Sequence, residues 1–590
     1  MIKIAKRRAI CVCLGLAGCF SAFSARLAYL QVIQHEKYAT LAAENHVVRQ
    51  TIHAPRGMIV DSRGEILAVS EPLKTVIADG THITDPARVA AAIADLLEMP
   101  VAEVQEKITT KRAYVRIKKQ VPEQTALAIR DRLNQEKLRG IYFEEDSRRV
   151  YPNGSMLSHV IGFMNREHDG VQGIELTMNR YLRGSDGFRF IERDRLGREL
   201  VPHRGEERGA RSGYNARLTI DMTLQNIVEE ELGAAFRKYN PEMATTIMME
   251  PQTGRILALA NFPNFDPNTP AAGEDAAKKN CAIINLVEPG STFKIVTAAA
   301  ALNEHLVDLS TVIPCESGRF LYAGRILRDH GSGPFPDLSV ADILVKSSNI
   351  GSAKLAMKMG EKRFYEYLRI FGFGERTGIS LPGEIAGIIH SPFSSGWSKI
   401  SITRMPMGQG VAVTPIQMVT AVSAIANGGN LMLPQIVEEI FDHEGKSIVN
   451  FPPSLVRRVV DTETTQKVKV ALRDVVNRGT AKAAQVPGYS SAGKTGTAEK
   501  PDPKGGYMKN RYVVSFIGMV PAENPRFVML VLLDDCKIPA HQNYGGTVAA
   551  PVFAKIAERA ARHLGIQPDL EINPENAPTI KLTQTAPAQR

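Results

Sequence analysis

The sequence predicts an α+β chain in which an antiparallel sheet is packed with helices, preceded by a smaller α+β module and one N-terminal transmembrane helix. Three observations carry that expectation. Strand-like segments with hairpin turns stand at both ends of the stretch 236–566, and helical sequence lies between them. From about residue 35 to 235, short apolar strands alternate with glycine-bearing turns and amphipathic helical sequence. Ahead of both, Ala9 to Ala25 carry no charge at all.

The N-terminal segment comes first. Lys3, Lys6, Arg7 and Arg8 precede it without an acid. As a helix, Ala9 to Ala25 spans ~26 Å, slightly short of a ~30 Å hydrocarbon layer. Arg26 can snorkel, which lets Leu27 to Ile33 finish the span. Ala22-Phe23-Ser24 loosely fits a small-x-small cleavage site, so a cleaved signal peptide competes with a retained anchor. The apolar residues that resume after Arg26 favour the anchor. In both cases the basic flank places the N-terminus inside and the rest of the chain outside the membrane.

At 590 residues the chain is too long for one core, and two to four units are expected. The formal net charge is +10, four of the cations lying in the first eight residues. The remaining surplus is thinly spread, with no basic block interleaved with aromatics, which argues against nucleic acid. Cys11, Cys13 and Cys19 fall in the apolar segment, leaving Cys281, Cys315 and Cys536 outside it. Three widely spaced cysteines make no disulfide framework and allow one bridge at most. No Cys-x-x-Cys or His-Glu-x-x-His is present, so no metal site and no cofactor are expected.

Arg56 to Asp61, a turn at Ser62-Arg63-Gly64, and Glu65 to Val69 read as a strand, a turn and a strand. Residues 86–138 read as two or three amphipathic helices with basic faces. Gly170 to Leu176 then leads to Tyr181-Leu182-Arg183-Gly184. None of this holds an acid/base constellation, so it reads as a stalk or docking module. Beyond Pro241, Thr245 to Glu250 and Arg255 to Ala260 flank the turn Pro251-Gln252-Thr253-Gly254. Further strands are expected at Tyr512 to Val520 and Phe527 to Leu533, and a polar, proline-bearing disordered tail after Gly565.

Three motifs stand in one order: Ser291-Thr292-Phe293-Lys294, Ser347-Ser348-Asn349 and Lys494-Thr495-Gly496-Thr497. Together they supply a nucleophile, a nearby amine, a polar relay and a cationic strand, the parts needed to open an amide through an acyl-serine. Pro289-Gly290 and the alanine-rich run behind it predict a buried helix beginning at Ser291. Three residues apart on a helix, Ser291 and Lys294 share a face, and burial lowers the lysine's pKa so that it can act as a base. A second Ser-x-x-Lys, Ser491 to Lys494, fails this test, because residues three apart in a strand face opposite ways. The helix start offers Ser291 N–H to an oxyanion, and Thr497 N–H on a strand edge is the second candidate donor. Lys494 with Thr495 or Thr497 suits a substrate carboxylate, while Gly496 leaves room for substrate backbone. Ser-Ser-Asn alone is most often a helix cap. In this company Ser347 reads as a proton relay, and Asn349 as the group that orients Lys294 or binds a substrate amide.

At these residues the chain resembles the penicillin-binding protein and serine β-lactamase superfamily, whose signature is the same three motifs. Glu288-Pro289-Gly290 and Gly408-Gln409-Gly410 before Thr414-Pro415 are similar to a transpeptidase domain. Arg56-Gly57-x-Ile59-x-Asp61 and Gly173-Ile174-Glu175 resemble the pedestal of class B members, and the nearest likeness is to the division-specific type. The resemblance implies an elongated α+β pedestal or dimerisation-type domain over 34–235 and a transpeptidase domain over 236–566. A cytoplasmic tail over 1–8, an anchor over 9–33 and a disordered tail over 567–590 complete the division. It further implies D,D-transpeptidation of peptidoglycan stem peptides during septal wall synthesis at the bacterial cytoplasmic membrane, with the catalytic domain outside (periplasmic if Gram-negative). Ser291 would attack the penultimate D-alanyl carbonyl, and β-lactams would acylate it as substrate mimics. A membrane glycosyltransferase and division-machinery proteins are the implied partners. No C-terminal repeat module is evident, which argues against the longer sporulation-type relatives. Rival readings are an elongation-type transpeptidase, a β-lactamase or D,D-carboxypeptidase, and a catalytically idle scaffold.

Overall fold

The structure is a computed structural model that describes residues 2–38, 47–112, 114–165, 167–193, 199–330 and 335–571. The chain forms two compact units that interleave along the sequence. The smaller takes residues up to Arg56, Ser70–Arg148 and Gly184–Gly213; the larger takes Gly57–Val69, Arg149–Arg183 and everything from Tyr214 on. Most of the tail expected over 567–590 lies outside the described residues.

In the smaller unit, a helix over Ile2–Ala28 runs into a π-helical turn, Tyr29–Ile33. Lys6–Ile33 is long and apolar enough to cross a membrane, and its large side chains, Phe20 and Phe23 among them, are exposed. Such a surface is at home only in an apolar surrounding. Three helices occupy the stretch read as helical: Pro86–Ile93, Val101–Thr109 and Glu123–Gln135. The first is started by Asp85, whose carboxylate accepts from Arg88 N at 3.1 Å, with Pro86 at the first helical position. Their apolar faces meet Val76 and Ile117 from two paired strands in one small core. A three-stranded sheet of Val47–Ile52, Gly187–Arg193 and Glu199–Arg208 was not foreseen from the sequence.

The larger unit is built on a five-stranded antiparallel sheet, in the order Ile256–Phe262, Met243–Met249, Phe527–Asp534, Tyr507–Val520 and Ala492–Pro501. N-terminal and C-terminal strands therefore lie side by side, as expected. Both faces are covered, so the central strand Phe527–Asp534 is an unbroken apolar run rather than an alternating one. Its alternate residues still separate by face. Met529, Val531 and Leu533 join the core under Met222–Tyr239 and Ala549–His563, while Val528, Leu530 and Leu532 join the core under Lys294–Asn303 and Pro415–Ala426. Phe516 and Phe553, both fully buried, meet edge to face at 4.7 Å between centroids. Burying each ring contributes roughly 2–3 kcal/mol.

Strands of a second sheet seat the start of this unit. Ile59–Val60 pairs with Ile66 and Ala68 on one side and with Asn215–Leu218 on the other. The turn between is closed by Asp61, whose Oδ1 accepts from Arg63 N and Glu65 N, both at 2.8 Å. Away from the large sheet, Arg319–Tyr322 and Arg325–Arg328 form an isolated two-stranded hairpin.

Candidate active site

Ser291 stands in a tight turn between the sheet and the buried helix. Val287 bridges to Val413, and Gly290 N donates to Gly408 O at 3.3 Å. These backbones are so close that a Cβ on Gly408 would sit 2.3 Å from Gly290 O, and Gly408 has φ +80°. Only glycine fits there. The α-helix expected to begin at Ser291 begins instead at Lys294; Gly290–Phe293 is a 3₁₀ turn, closed by Thr292 Oγ1 donating to Pro289 O at 2.8 Å. The consequence drawn from a helix survives, since residues three apart eclipse one another in a 3₁₀ turn. Ser291 is half-buried, whereas Lys294 is fully enclosed.

The first two motifs meet at Lys294. Its Nζ donates to Ser347 O at 2.5 Å, Ser347 Oγ at 3.1 Å and Asn349 Oδ1 at 2.7 Å. These three acceptors use all the donors of an ammonium. Ser291 Oγ is not among them, in keeping with the loose hydrogen bonds of empty catalytic sites. Burial pushes the Lys294 pKa well below the usual lysine range, the charge of Lys494 pushes it further, and Asp329 opposes both.

Ser347 reaches this place by an unusual backbone, with φ +59° just after the helix Val340–Val345. For a non-glycine residue such a conformation costs roughly 1–3 kcal/mol and is kept where the surroundings impose it. The cap reading of Ser-Ser-Asn also holds, on the residue between: Ser348 Oγ accepts from Gly351 N at 3.0 Å and starts the helix Asn349–Met359. Sequence reasoning missed Asp329, which no short-range pattern marks. Its carboxylate accepts from Ser348 Oγ at 2.9 Å, Asn349 N at 2.5 Å and Ile350 N at 3.0 Å. Asn349 Nδ2 donates to Arg328 O at 2.9 Å, and that bond turns Oδ1 towards Lys294.

The third motif lies on the outermost strand of the large sheet, with Lys494 opposite Ile517, Gly496 opposite Ser515 and Thr497 opposite Val514. An edge strand keeps alternate N–H groups free of strand partners, which is what an oxyanion donor requires. Lys494 is fully buried, and among the described residues its Nζ finds only its neighbour's carbonyl, Thr495 O, at 3.4 Å. Burial alone brings its pKa down to about 7. It is a buried cation short of an anion. Thr495 Oγ1 lies 3.0 Å from Thr480 Oγ1, and Thr497 Oγ1 accepts from Gly545 N at 3.1 Å.

Gly496 has a different reason from the one expected. A Cβ there would meet Ser515 Oγ at 2.3 Å, Thr292 Cγ2 at 3.0 Å and Pro289 O at 3.1 Å. The missing side chain makes room for the turn that carries Ser291, not for substrate backbone. The strand and the turn are thereby brought together, with Thr497 O lying 3.0 Å from where a Gly290 Cβ would be. Ser491, the competing serine, is buried and donates to Ala484 O at 2.9 Å.

Glu288, named in the sequence only as part of Glu288-Pro289-Gly290, also has partners of its own. Glu288 accepts from Gly410 N at 2.8 Å and from Tyr507 OH at 3.1 Å, and burial raises its pKa. Among the described residues no group of three or more His, Cys, Asp and Glu is placed to hold a metal, and all six cysteines are free.

Comparison with known proteins identifies the family. The family described as penicillin binding protein transpeptidase domain matches residues 244–558, and the penicillin-binding protein dimerisation domain matches 51–218. Stage V sporulation protein D of Bacillus subtilis is 34% identical over 554 residues, 93% of this chain and 84% of that one. Peptidoglycan D,D-transpeptidase FtsI of Escherichia coli K12 is 32% identical over 567 residues, 95% of this chain and 92% of that one. Among solved structures, penicillin binding protein 3 of Mycobacterium tuberculosis in complex with aztreonam superposes with a TM-score of 0.68. It is 28% identical over 89% of this chain and 99% of that one. A relative of the sporulation type thus stands beside one of the division type.

Proposed function

This chain belongs to the class B penicillin-binding proteins, serine-type D-Ala-D-Ala transpeptidases of peptidoglycan, and from that premise we propose that it crosslinks stem peptides during septal wall synthesis. The observation that carries the chemistry is the triple hydrogen bonding of the enclosed Lys294 amine to Ser347 and Asn349. In its neutral form Lys294 turns one of these contacts into a lone pair. It takes the proton of Ser291 Oγ as that oxygen attacks the penultimate D-alanyl carbonyl. Ser291 N–H and Thr497 N–H hold the oxyanion, an arrangement in which one donor typically contributes about 3–4 kcal/mol. Collapse breaks the C–N bond, and the leaving amine of D-alanine receives a proton from Lys294 through Ser347 Oγ. An amine of a neighbouring stem then attacks the ester; its N–C bond forms, the C–Oγ bond breaks, and Ser291 regains its proton. Lys494, with the Thr495 or Thr497 hydroxyl, holds the terminal carboxylate. β-Lactams, which carry a carboxylate in the same relation to their carbonyl, acylate the same serine.

On this reading residues 9–33 anchor the protein in the bacterial cytoplasmic membrane, residues 1–8 face the cytoplasm, and the catalytic domain over 236–566 works outside. Residues 34–235 act as the pedestal that contacts a membrane glycosyltransferase and division-machinery proteins. The division role is supported by the FtsI relative, of whose length the chain covers a larger share than of the sporulation protein's. A fluorescent fusion of the full chain is expected to concentrate at midcell before septation. Signal confined to the side wall, or appearing only in sporulating cells, overturns the division role.

A further inference from the structure

The hairpin Arg319–Arg328 carries a charge pattern that the fold does not satisfy. In its register Arg319 stands directly opposite Arg328, with Leu321 opposite Ile326 on the same exposed face. Like charges across a strand pair repel. Arg325 adds a third exposed cation at the tip, and among the described residues none of these three guanidinium groups forms an ion pair. The other face of the hairpin is anchored: Leu327 and Phe320 pack against Ile350, Ala353 and Met407. Arg404, beneath the tip, points the same way. Its Nη2 reaches Ile326 O only at 3.4 Å, and its Nη1 is enclosed with no acceptor. Among the described residues, four guanidinium groups around one small hairpin therefore lack anions.

The hairpin is also tied to the reacting centre. Arg328 O accepts from Asn349 Nδ2, and Asn349 Oδ1 accepts from Lys294 Nζ, so the base of the hairpin is two hydrogen bonds from the catalytic amine. The next residue, Asp329, holds Ser348 and Asn349. The base of the hairpin thus reaches the catalytic amine without using the strand of Lys494, which is reserved for the first substrate's carboxylate.

We propose that the Arg319–Arg328 hairpin, with Arg404, binds the carboxylates of the second stem peptide and so presents its amine to the acyl-enzyme. The inference rests on the transpeptidase reading and deepens it by assigning an acceptor site. Peptide carboxylates match the paired guanidinium groups in charge and fork geometry, and the exposed Leu321 and Ile326 suit the aliphatic part of a peptide.

The test uses the full-length protein in detergent and three readouts: acylation by fluorescent penicillin, aminolysis of the acyl-enzyme formed from a D-alanyl thioester donor, and crosslinking of glycan strands. Arg319→Gln/Arg328→Gln is expected to acylate within about twofold of wild type. It should raise the KM of a carboxylate-bearing acceptor such as D-alanine about tenfold, the loss expected for one or two charge-assisted contacts. n-Butylamine, which has no carboxylate, should be used equally well by both proteins, and Arg319→Lys/Arg328→Lys should recover part of the D-alanine KM. Equal loss with both amines, a parallel fall in acylation, or unchanged crosslinking by the purified variant each overturns the proposal. The last result would point to a lipid phosphate or an acidic protein segment as the occupant. A wild-type protein that takes up no penicillin would instead refute the transpeptidase reading itself.

Discussion

Ser291→Ala is expected to lose covalent labelling by fluorescent penicillin by about 10⁴-fold or more while keeping its fold. The size follows from removing the atom that forms the acyl bond, since no other group in the arrangement can replace a missing nucleophile. The fold should persist because Ser291 Oγ supports nothing: the turn is closed by Thr292 Oγ1 on Pro289 O and by the contact of Gly290 with Gly408. A half-buried serine outside the bonded framework costs within about 0.5 kcal/mol when truncated. Thermal melting checks the fold, and gel fluorescence after brief exposure to the drug checks the reaction. Ser491→Ala supplies the control. That serine belongs to the packing around Ala484, so its loss should weaken stability and leave labelling in place. Labelling retained by Ser291→Ala, or abolished by Ser491→Ala in a folded protein, refutes the assignment.

The second large effect concerns pH. Lys494 must be charged to hold a carboxylate, and its burial leaves it with a pKa of about 7 in the empty protein. The second-order rate of penicillin acylation reports the free enzyme. It is therefore expected to fall as pH rises above about 7, by roughly tenfold per unit, or about 100-fold between pH 7 and 9. The sign follows from the proton: raising pH removes it from Lys494 and with it the attraction for the substrate anion. Lys294 titrates in the opposite functional sense, because it must lose its proton to act. Its lowered pKa favours that neutral form. In Lys494→Arg the guanidinium stays protonated throughout this range. The alkaline limb should vanish from that variant, whatever its absolute rate at pH 7. An unchanged limb would assign the titration to another group.

Much of the site was legible in the sequence because its parts are local patterns. The serine and lysine three residues apart, and the Lys-Thr-Gly strand beside an apolar hairpin, each announce their own backbone geometry. What could not be read depends on contacts between distant segments. The helix start moved to Lys294 because Thr292 finds its acceptor in Pro289 and tightens the turn. The middle motif is a cap and a partner of the buried amine at once, with Ser348 serving the helix and its neighbours bonding Lys294. Gly496 was given a substrate to accommodate, whereas it accommodates Thr292 and Pro289. Asp329 had no signature, for its importance lies wholly in where the hairpin delivers it. The fold followed the same rule. The two-sided sheet was visible as apolar runs at the ends of one region, but the interleaving of Gly57–Val69 and Arg149–Arg183 into the larger unit was not.

The two enclosed lysines have one more consequence, and it concerns charge balance. Burial first and the charge of Lys494 second strip Lys294 of its proton, whereas burial alone acts on Lys494. An anion that arrives at Lys494 fixes a proton there, and the resulting ion pair is neutral as a whole. The anion pocket can therefore fill without adding net charge beside Ser291, and it is the enclosure of Lys294, present whether the pocket is full or empty, that keeps its hold on a proton weak.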